Sequence, residues 1–304
     1  MTTFSDMVYV NGGVPLLPGG VTTGNVFFVC SAVTGATDAA NYGTNPKTPF
    51  ATVDYAVGKC TASNGDIIYV MPGHNEALTA GTSLVVDVAG VSIIGLGRGM
   101  NRPIFDYDNT AGTIEMDAEN TRLSNVVLRA SVSATVAGIN VDAHYVEIDN
   151  CYFTYEATGD EFITCIDINA FDFTNVHDNV FDTETGSGQA TEAIHLVDTN
   201  DVTIRNNIFR GTWSDAAIFC ETTLSARLLI KDNIIYNSDT SVYAGIDGGA
   251  LSTTGMVMDN HITSLYATAV AKVIRLGNLS WHRNTYANAV DERAALLAPT
   301  TSAA

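Results

Sequence analysis

Four acidic side chains of this sequence close short apolar stretches. "GTIEMD", "GINVD", "AIHLVD" and "AIFCE" end on Asp117, Asp142, Asp198 and Glu221. Carboxyl groups brought within a few ångströms of each other can cleave a glycosidic bond, one as acid and the other as base or nucleophile. A cage of carboxylate oxygens can also hold calcium. The row is interrupted by Asn169 and Gly277, and acids at strand ends commonly accept hydrogen bonds from turn amides in water. Two readings follow. In the main one no residue is catalytic and neither metal nor cofactor is bound; in the alternative, Asp142, Asp198 and Glu221 form a catalytic set.

Other chemistry-bearing residues have weaker patterns. His74 and Glu76 sit close together in "PGHNEAL", suited to acid–base or metal work or to a structural turn. His195 and Asp198 have dyad spacing, yet no serine or cysteine nucleophile is placed beside them. "GLGRG", Gly95 to Gly99, has glycines enough for a phosphate loop but lacks the dinucleotide spacing, so a turn is expected. His144, His177, His261 and His282 occupy unlike places, which predicts no metal cluster. Five cysteines, Cys30, Cys60, Cys151, Cys165 and Cys220, show no CxxC pair and read as reduced, buried thiols.

The elements that position these residues announce themselves by repetition. "LSNVVL", "IDNCYF", "HDNVFD", "RNNIFR", "KDNIIY", "MDNHIT" and "HRNTYA" recur every 24 to 29 residues. They set Asn125, Asn150, Asn179, Asn207, Asn233, Asn260 and Asn284 as a predicted ladder, because stacked asparagines at a bend can bond from one coil to the next. Two residues after each stands Val127, Tyr152, Phe181, Phe209, Ile235, Ile262 or Tyr286. Three residues before it the last five repeats carry Val176, Ile204, Ile230, Val257 and Trp281, so side-chain parity breaks at the asparagine. The first two repeats differ, with Leu123 and Ile148 two residues before. A second strand precedes each bend. The period marks a solenoid, and the absence of regular leucines and convex helices excludes leucine-rich repeats.

With these features the segment from Val26 to Ala289 resembles the parallel β-helix superfamily typified by pectate lyases. The resemblance implies an all-β chain: a right-handed single-stranded parallel β-helix with an N-terminal capping helix and extended terminal arms. The organisation expected is an arm over 1–25, coils over 26–289 with the helix near 49–60, and a tail over 290–304. "TPFATVDYAVGKC" puts Phe50, Val53, Val57 and Cys60 on one helical face, with Thr48 as N-cap and Pro49 in the first turn; "VDERAALL" reads as a short terminal helix. The basic residues of pectate lyases and the NTD, DD, GHG and RIK motifs of polygalacturonases are missing as sets.

Charge and composition bound the function. A net charge of -19 opposes nucleic-acid binding, and 46% hydrophobic residues are ample for a large core. No run is long enough to span a membrane, and "MTTFSDMVYV" lacks a signal-peptide pattern, which predicts a cytoplasmic product starting at Met1. "GTNPKTPFATVDYAVGKCTASNGDIIYVMPGHNEAL", about an eighth of the chain, resembles the opening of β-helix proteins from tailed-phage virions. That resemblance implies a capsid decoration or cement protein: a homotrimer on the virion surface, joined to the major capsid protein through its arm and tail. The alternative is a tail spike or carbohydrate-active enzyme, a polysaccharide lyase or glycoside hydrolase.

Overall fold

In the computed structural model the described residues are 22–79, 84–183, 190–221, 224–238, 245–249, 253–264, 274–275 and 278–288, with the short strands Tyr9–Val10, Val14–Pro15 and Ala295–Leu296. Their strands are mostly three to five residues long, too short to pair stably except as part of a stack. Each finds its partners one coil earlier and one coil later. Thr203–Arg205, for instance, pairs in parallel with Asn175–His177 and with Leu228–Lys231.

Three parallel sheets result. Sheet I runs from Val26–Val29 to Asn278–His282 through ten strands, and sheet III from Leu84–Val85 to Ile274–Arg275 through eight. Sheet II begins at Asn75–Ala77 and also has ten strands, the last being Ala295–Leu296, which returns antiparallel along Thr285–Asn288. The chain visits sheets I, II and III in turn, so the fold is a parallel β-solenoid with very little helix. Like residues stack at the strand spacing inside it. Phe153, Phe181 and Phe209 lie ring over ring, 4.7 Å apart at each step and within 13° of parallel.

From Asn175–His177 onward, each passage from sheet I to sheet II turns on one residue with left-handed backbone: Asp178, Asn206, Asp232, Asp259 and Arg283 have φ between +49° and +57°. The asparagine that follows points inward and is buried. Asn179 donates from Nδ2 to Asn207 Oδ1 (3.1 Å), Asn207 to Asn233 (3.1 Å), Asn233 to Asn260 (2.9 Å) and Asn260 to Asn284 (2.8 Å). Each Oδ1 also accepts the backbone N–H of the residue one coil earlier, as Asn207 does from Asn179 at 3.0 Å. Each Nδ2 donates to a sheet I carbonyl as well, for example Asn207 to Val176 O at 3.0 Å.

Asn125 and Asn150, assigned to the ladder from sequence, stand outside it. Both take the left-handed bend position, with φ of +59° and +55°, and the inward places fall to Val126 and Cys151. Asn125 donates instead to Gly95 O (2.6 Å) and Gly97 O (3.2 Å), and Asn150 to the Asp149 carboxylate. The inward aromatic or aliphatic partners are accordingly Leu128 and Phe153, one residue beyond Val127 and Tyr152. With that shift, all repeats share one geometry.

At the entrance the helix is shorter than expected. It spans Val53–Val57, with Thr52 as N-cap accepting from Tyr55 N at 3.4 Å. Phe50 is buried in extended backbone bridged to Val29, and Thr48 is bridged to Asn45, so neither serves the helix. Val53, Ala56 and Val57 are buried, and the helix lies against sheet I and the first strand of sheet III. Within the expected N-terminal arm, Tyr9–Val10 and Val14–Pro15 form an antiparallel pair. In the tail, residues 295 and 296 are a strand rather than part of a helix; pairing there covers the hydrogen-bonding edge of the last coil. Apart from residues 22–25, the rest of both segments lies outside the described residues, as does Gly277.

Candidate functional site

The outer face of sheet III gathers the titratable groups. Its register is set by a column of inward isoleucines, Ile114, Ile139, Ile166, Ile194, Ile218, Ile246 and Ile274, each paired with the next. The residue after each isoleucine faces the other way. This places Glu115, Asn140, Asp167, His195 and Phe219 side by side, all half-buried. Asn140 Nδ2 donates to Glu115 Oε1 at 3.1 Å. His195 Nδ1 meets Asp167 Oδ1 at 3.0 Å, and its ring stacks on Phe219 at 5.6 Å and 18°.

Three residues past the isoleucines come Asp117 and Asp142, both exposed. One carboxylate oxygen from each of Glu115, Asp117 and Asp142 lies within 4.8 Å of the other two. All three hold their protons above the usual carboxylate range. Burial is the largest cause for each. Asp117 and Asp142 add to it at Glu115, against the Asn140 bond; Asp87 adds to it at Asp117; and Asp117 and Asp167 add to it at Asp142. Burial alone would lower the His195 pKa, but the Asp167 bond and the charges of Asp167, Glu192 and Glu221 raise it above the ordinary histidine value. The strip therefore sets carboxyl groups with raised pKa values beside an imidazole whose own is raised.

Of the sequence-predicted set, Asp142 lies in the acidic cluster, and Glu221 is half-buried in the charge environment of His195. Asp198 belongs to neither. Aligned on Ile194, the position equivalent to Asp142 is Val197, paired with Asn169, and Asp198 falls one residue later on an exposed bend with φ of +49°. The His195–Asp198 dyad is likewise replaced, since the carboxylate bonded to His195 is Asp167 of the preceding coil. Glu115, Asn140 and Asp167 lie inside their strands, one residue past an inward isoleucine, so a pattern of acids at strand ends does not include them. Aligning the isoleucines would have found them.

The remaining candidates have structural work. Buried His74 accepts Ser31 N–H at Nδ1 (3.0 Å), which leaves the Nε2 proton for Glu76 at 2.9 Å. Glu76 in turn accepts the Val53 N–H at the helix start (3.0 Å). "GLGRG" forms a bend with Gly97 at φ of +105°, followed by a single 3-10 turn, Gly99–Asn101. Glu147, Asp149 and His177 also offer closely spaced ligand atoms on sheet I. There Arg122 already supplies positive charge, donating to Asp149 at 2.6 and 2.9 Å. Burial pushes the Cys60, Cys151 and Cys220 thiols up to about 12, which suits packing and not nucleophilic attack.

No family model matches the chain, and no curated protein matches it. Solved structures do. A rhamnogalacturonan lyase superposes with a TM-score of 0.52 at 14% identity, over 86% of this chain and 74% of that one. A mutant DFA-IIIase from Arthrobacter chlorophenolicus A6, in complex with DFA-III, superposes with a TM-score of 0.52 at 14% identity, over 84% of this chain and 61% of that one. The fold is a pectate-lyase-like parallel β-helix. At this identity the likeness establishes architecture, and a β-helix hosts its chemistry through particular side chains.

Proposed function

We propose that this β-helix is a carbohydrate-active enzyme that hydrolyses a neutral glycan on the outer face of sheet III. The observation that carries the reading is the convergence of Glu115, Asp117 and Asp142 within 4.8 Å, each with a raised pKa. Like charges so close disfavour full ionisation, so the trio takes up a proton more readily than isolated carboxyls and can pass it to a leaving oxygen. Asp142, pressed by Asp117 on one side and Asp167 on the other, is the general acid. Asp117 is its ionised partner, and Glu115, bonded to Asn140, faces the sugar hydroxyls. Carboxyls this close favour attack by one of them on the sugar, hence retention of anomeric configuration.

Charge narrows the substrate. Among the described residues no lysine or arginine is paired with these three acids, and the whole chain carries -19. A polyuronate would be repelled, whereas a neutral chain would find carboxylates and an amide for its hydroxyls and Phe219 as an apolar platform. The rhamnogalacturonan lyase and the DFA-IIIase support the general class, because both carry carbohydrate chemistry on this architecture. The virion decoration reading, with a capsid partner and a trimer, rests on one segment's resemblance, and no described feature adds to it.

The test is reducing-end release from a panel of neutral and uronic glycans by the full chain. Hydrolysis of a neutral glycan with retained configuration, lost by at least about a hundredfold in Asp142→Asn, is the expected result. Cleavage of uronic glycans alone, with unsaturated product ends, would overturn the hydrolase reading.

A further inference from the structure

A second site lies away from sheet III, where the second and third strands of sheet I bend into sheet II. The bends at residues 72–75 and 97–104 enclose an open groove of about 480 Å³, the size of sites that take small molecules. In a chain with 33 acidic residues, none of its ten lining residues is aspartate or glutamate, and two are arginines.

Those two arginines differ from the other arginines whose side chains are described. Arg122, Arg129, Arg205, Arg210, Arg227 and Arg283 each meet a carboxylate within 4.0 Å. Arg98 and Arg102 meet none among the described residues. Arg102 is held in place, donating from Nε to Gly99 O at 2.9 Å and from one terminal nitrogen to Asn150 O at 2.7 Å, with its guanidinium 5.7 Å from the Tyr152 ring centre. Its second terminal nitrogen is left for a ligand. Arg98 is exposed four residues earlier on the same bend, and Asn75 and Asn101 line the same groove. A fixed guanidinium, a free one and two amides, with no competing acid, form a receptor for an oxyanion.

We infer that this groove binds a small anionic ligand of about monosaccharide size through a carboxylate or phosphate held between Arg98 and Arg102. Arg102 positions the anion and Arg98 closes over it.

The experiment is calorimetric titration of the full chain with glucuronate, inorganic phosphate and glucose. Saturable binding of either anion and none of glucose is expected, weakened roughly tenfold in Arg98→Gln, which loses only charge-assisted bonds to the ligand. Arg98 is exposed and unbonded, so this variant keeps the fold; Asp142→Asn should bind as the parent does, which separates this site from the proposed catalytic one. Binding of glucuronate alone assigns the site to sugar acids, and binding of phosphate alone assigns it to phosphorylated ligands. If neither anion binds, if glucose binds equally well, or if Arg98→Gln leaves affinity unchanged, the inference is wrong.

Discussion

Asp167 and His195 stand directly opposite each other on adjacent coils, 28 residues apart in sequence and 3.0 Å apart at Oδ1 and Nδ1. Phe219, one coil further on, covers the imidazole face. Burial pulls the His195 pKa down and the carboxylates around it more than restore it, to above 6.5. A raised histidine pKa means that the pair stabilises the fold fully below the unfolded value and that this stabilisation is lost as pH rises through the folded value. In an NMR titration the His195 ring should therefore titrate above the ordinary range, and Asp167→Asn should bring it down. A parent midpoint at or below the ordinary value would contradict the arrangement.

The acidic trio has the same pH sign, although here ionisation works against the fold. Raised carboxylate pKa values favour the fold at low pH, and the advantage is lost as pH rises through the folded values. Asp117→Asn should thus stabilise the protein at neutral pH by roughly a few tenths of a kcal/mol, a small gain because the group is solvent-screened. The gain should vanish below the carboxylate range. Thermal unfolding at the two pH values measures it. A variant that gains stability and loses glycan hydrolysis is what a site kept against the interests of the fold produces.

Asp149 shows the contrary sign. Its burial would raise its pKa, but bonds from Arg122, Asn150 and Ser124 hold it below the usual range. Its contribution is present above the unfolded carboxylate pKa and lost as pH falls through the folded value. Asp149→Asn should cost about 2–3 kcal/mol at neutral pH, toward the low side for a broken buried pair because Arg122 is partly exposed and has Glu147 nearby. Urea unfolding should show the parent and the variant converging in acid.

Neighbouring asparagines should behave unalike. Asn207 bonds Asn233, Asn179 N–H and Val176 O, so Asn207→Ala should cost about 1–3 kcal/mol in orphaned buried groups. Asn206 contributes a left-handed backbone, so Asn206→Gly should change stability by less than about 0.5 kcal/mol. Phe181, stacked between Phe153 and Phe209, should cost about 3–5 kcal/mol as alanine. Denaturant midpoints rank the three, and equal effects at Asn206 and Asn207 would refute the assignment of the bend.

The period, the bend and the stack of large apolar residues were all legible in the chain, because each coil repeats the same demand on the same residue type. What misled was the frame. In "LSNVVL" and "IDNCYF" the asparagine occupies the left-handed position, a role open to Asn as well as Asp, and its identity alone does not tell bend from ladder. The parity of Leu123 and Ile148 carried the answer. At "AIHLVD" the terminal aspartate matched its neighbours by eye but not by register, which Ile194 fixes from inside. Asp167 and His195 share no local pattern. They meet because two inward isoleucines, Ile166 and Ile194, pair beneath them.

The ladder also bears on how such a chain changes length over evolutionary time. Asn179, Asn207 and Asn233 present the same donors upward and the same acceptor downward. Removing the 26 residues from Asn207 to Asp232 would bring Asn233 onto Asn179 and Ile235 onto Phe181 with their bonding partners of like kind. A gene can thus lose or duplicate a whole coil at the distal end without inventing an interface. The acidic trio, built between Ile114 and Asp142, would keep its own coils throughout, so height and chemistry can be inherited separately.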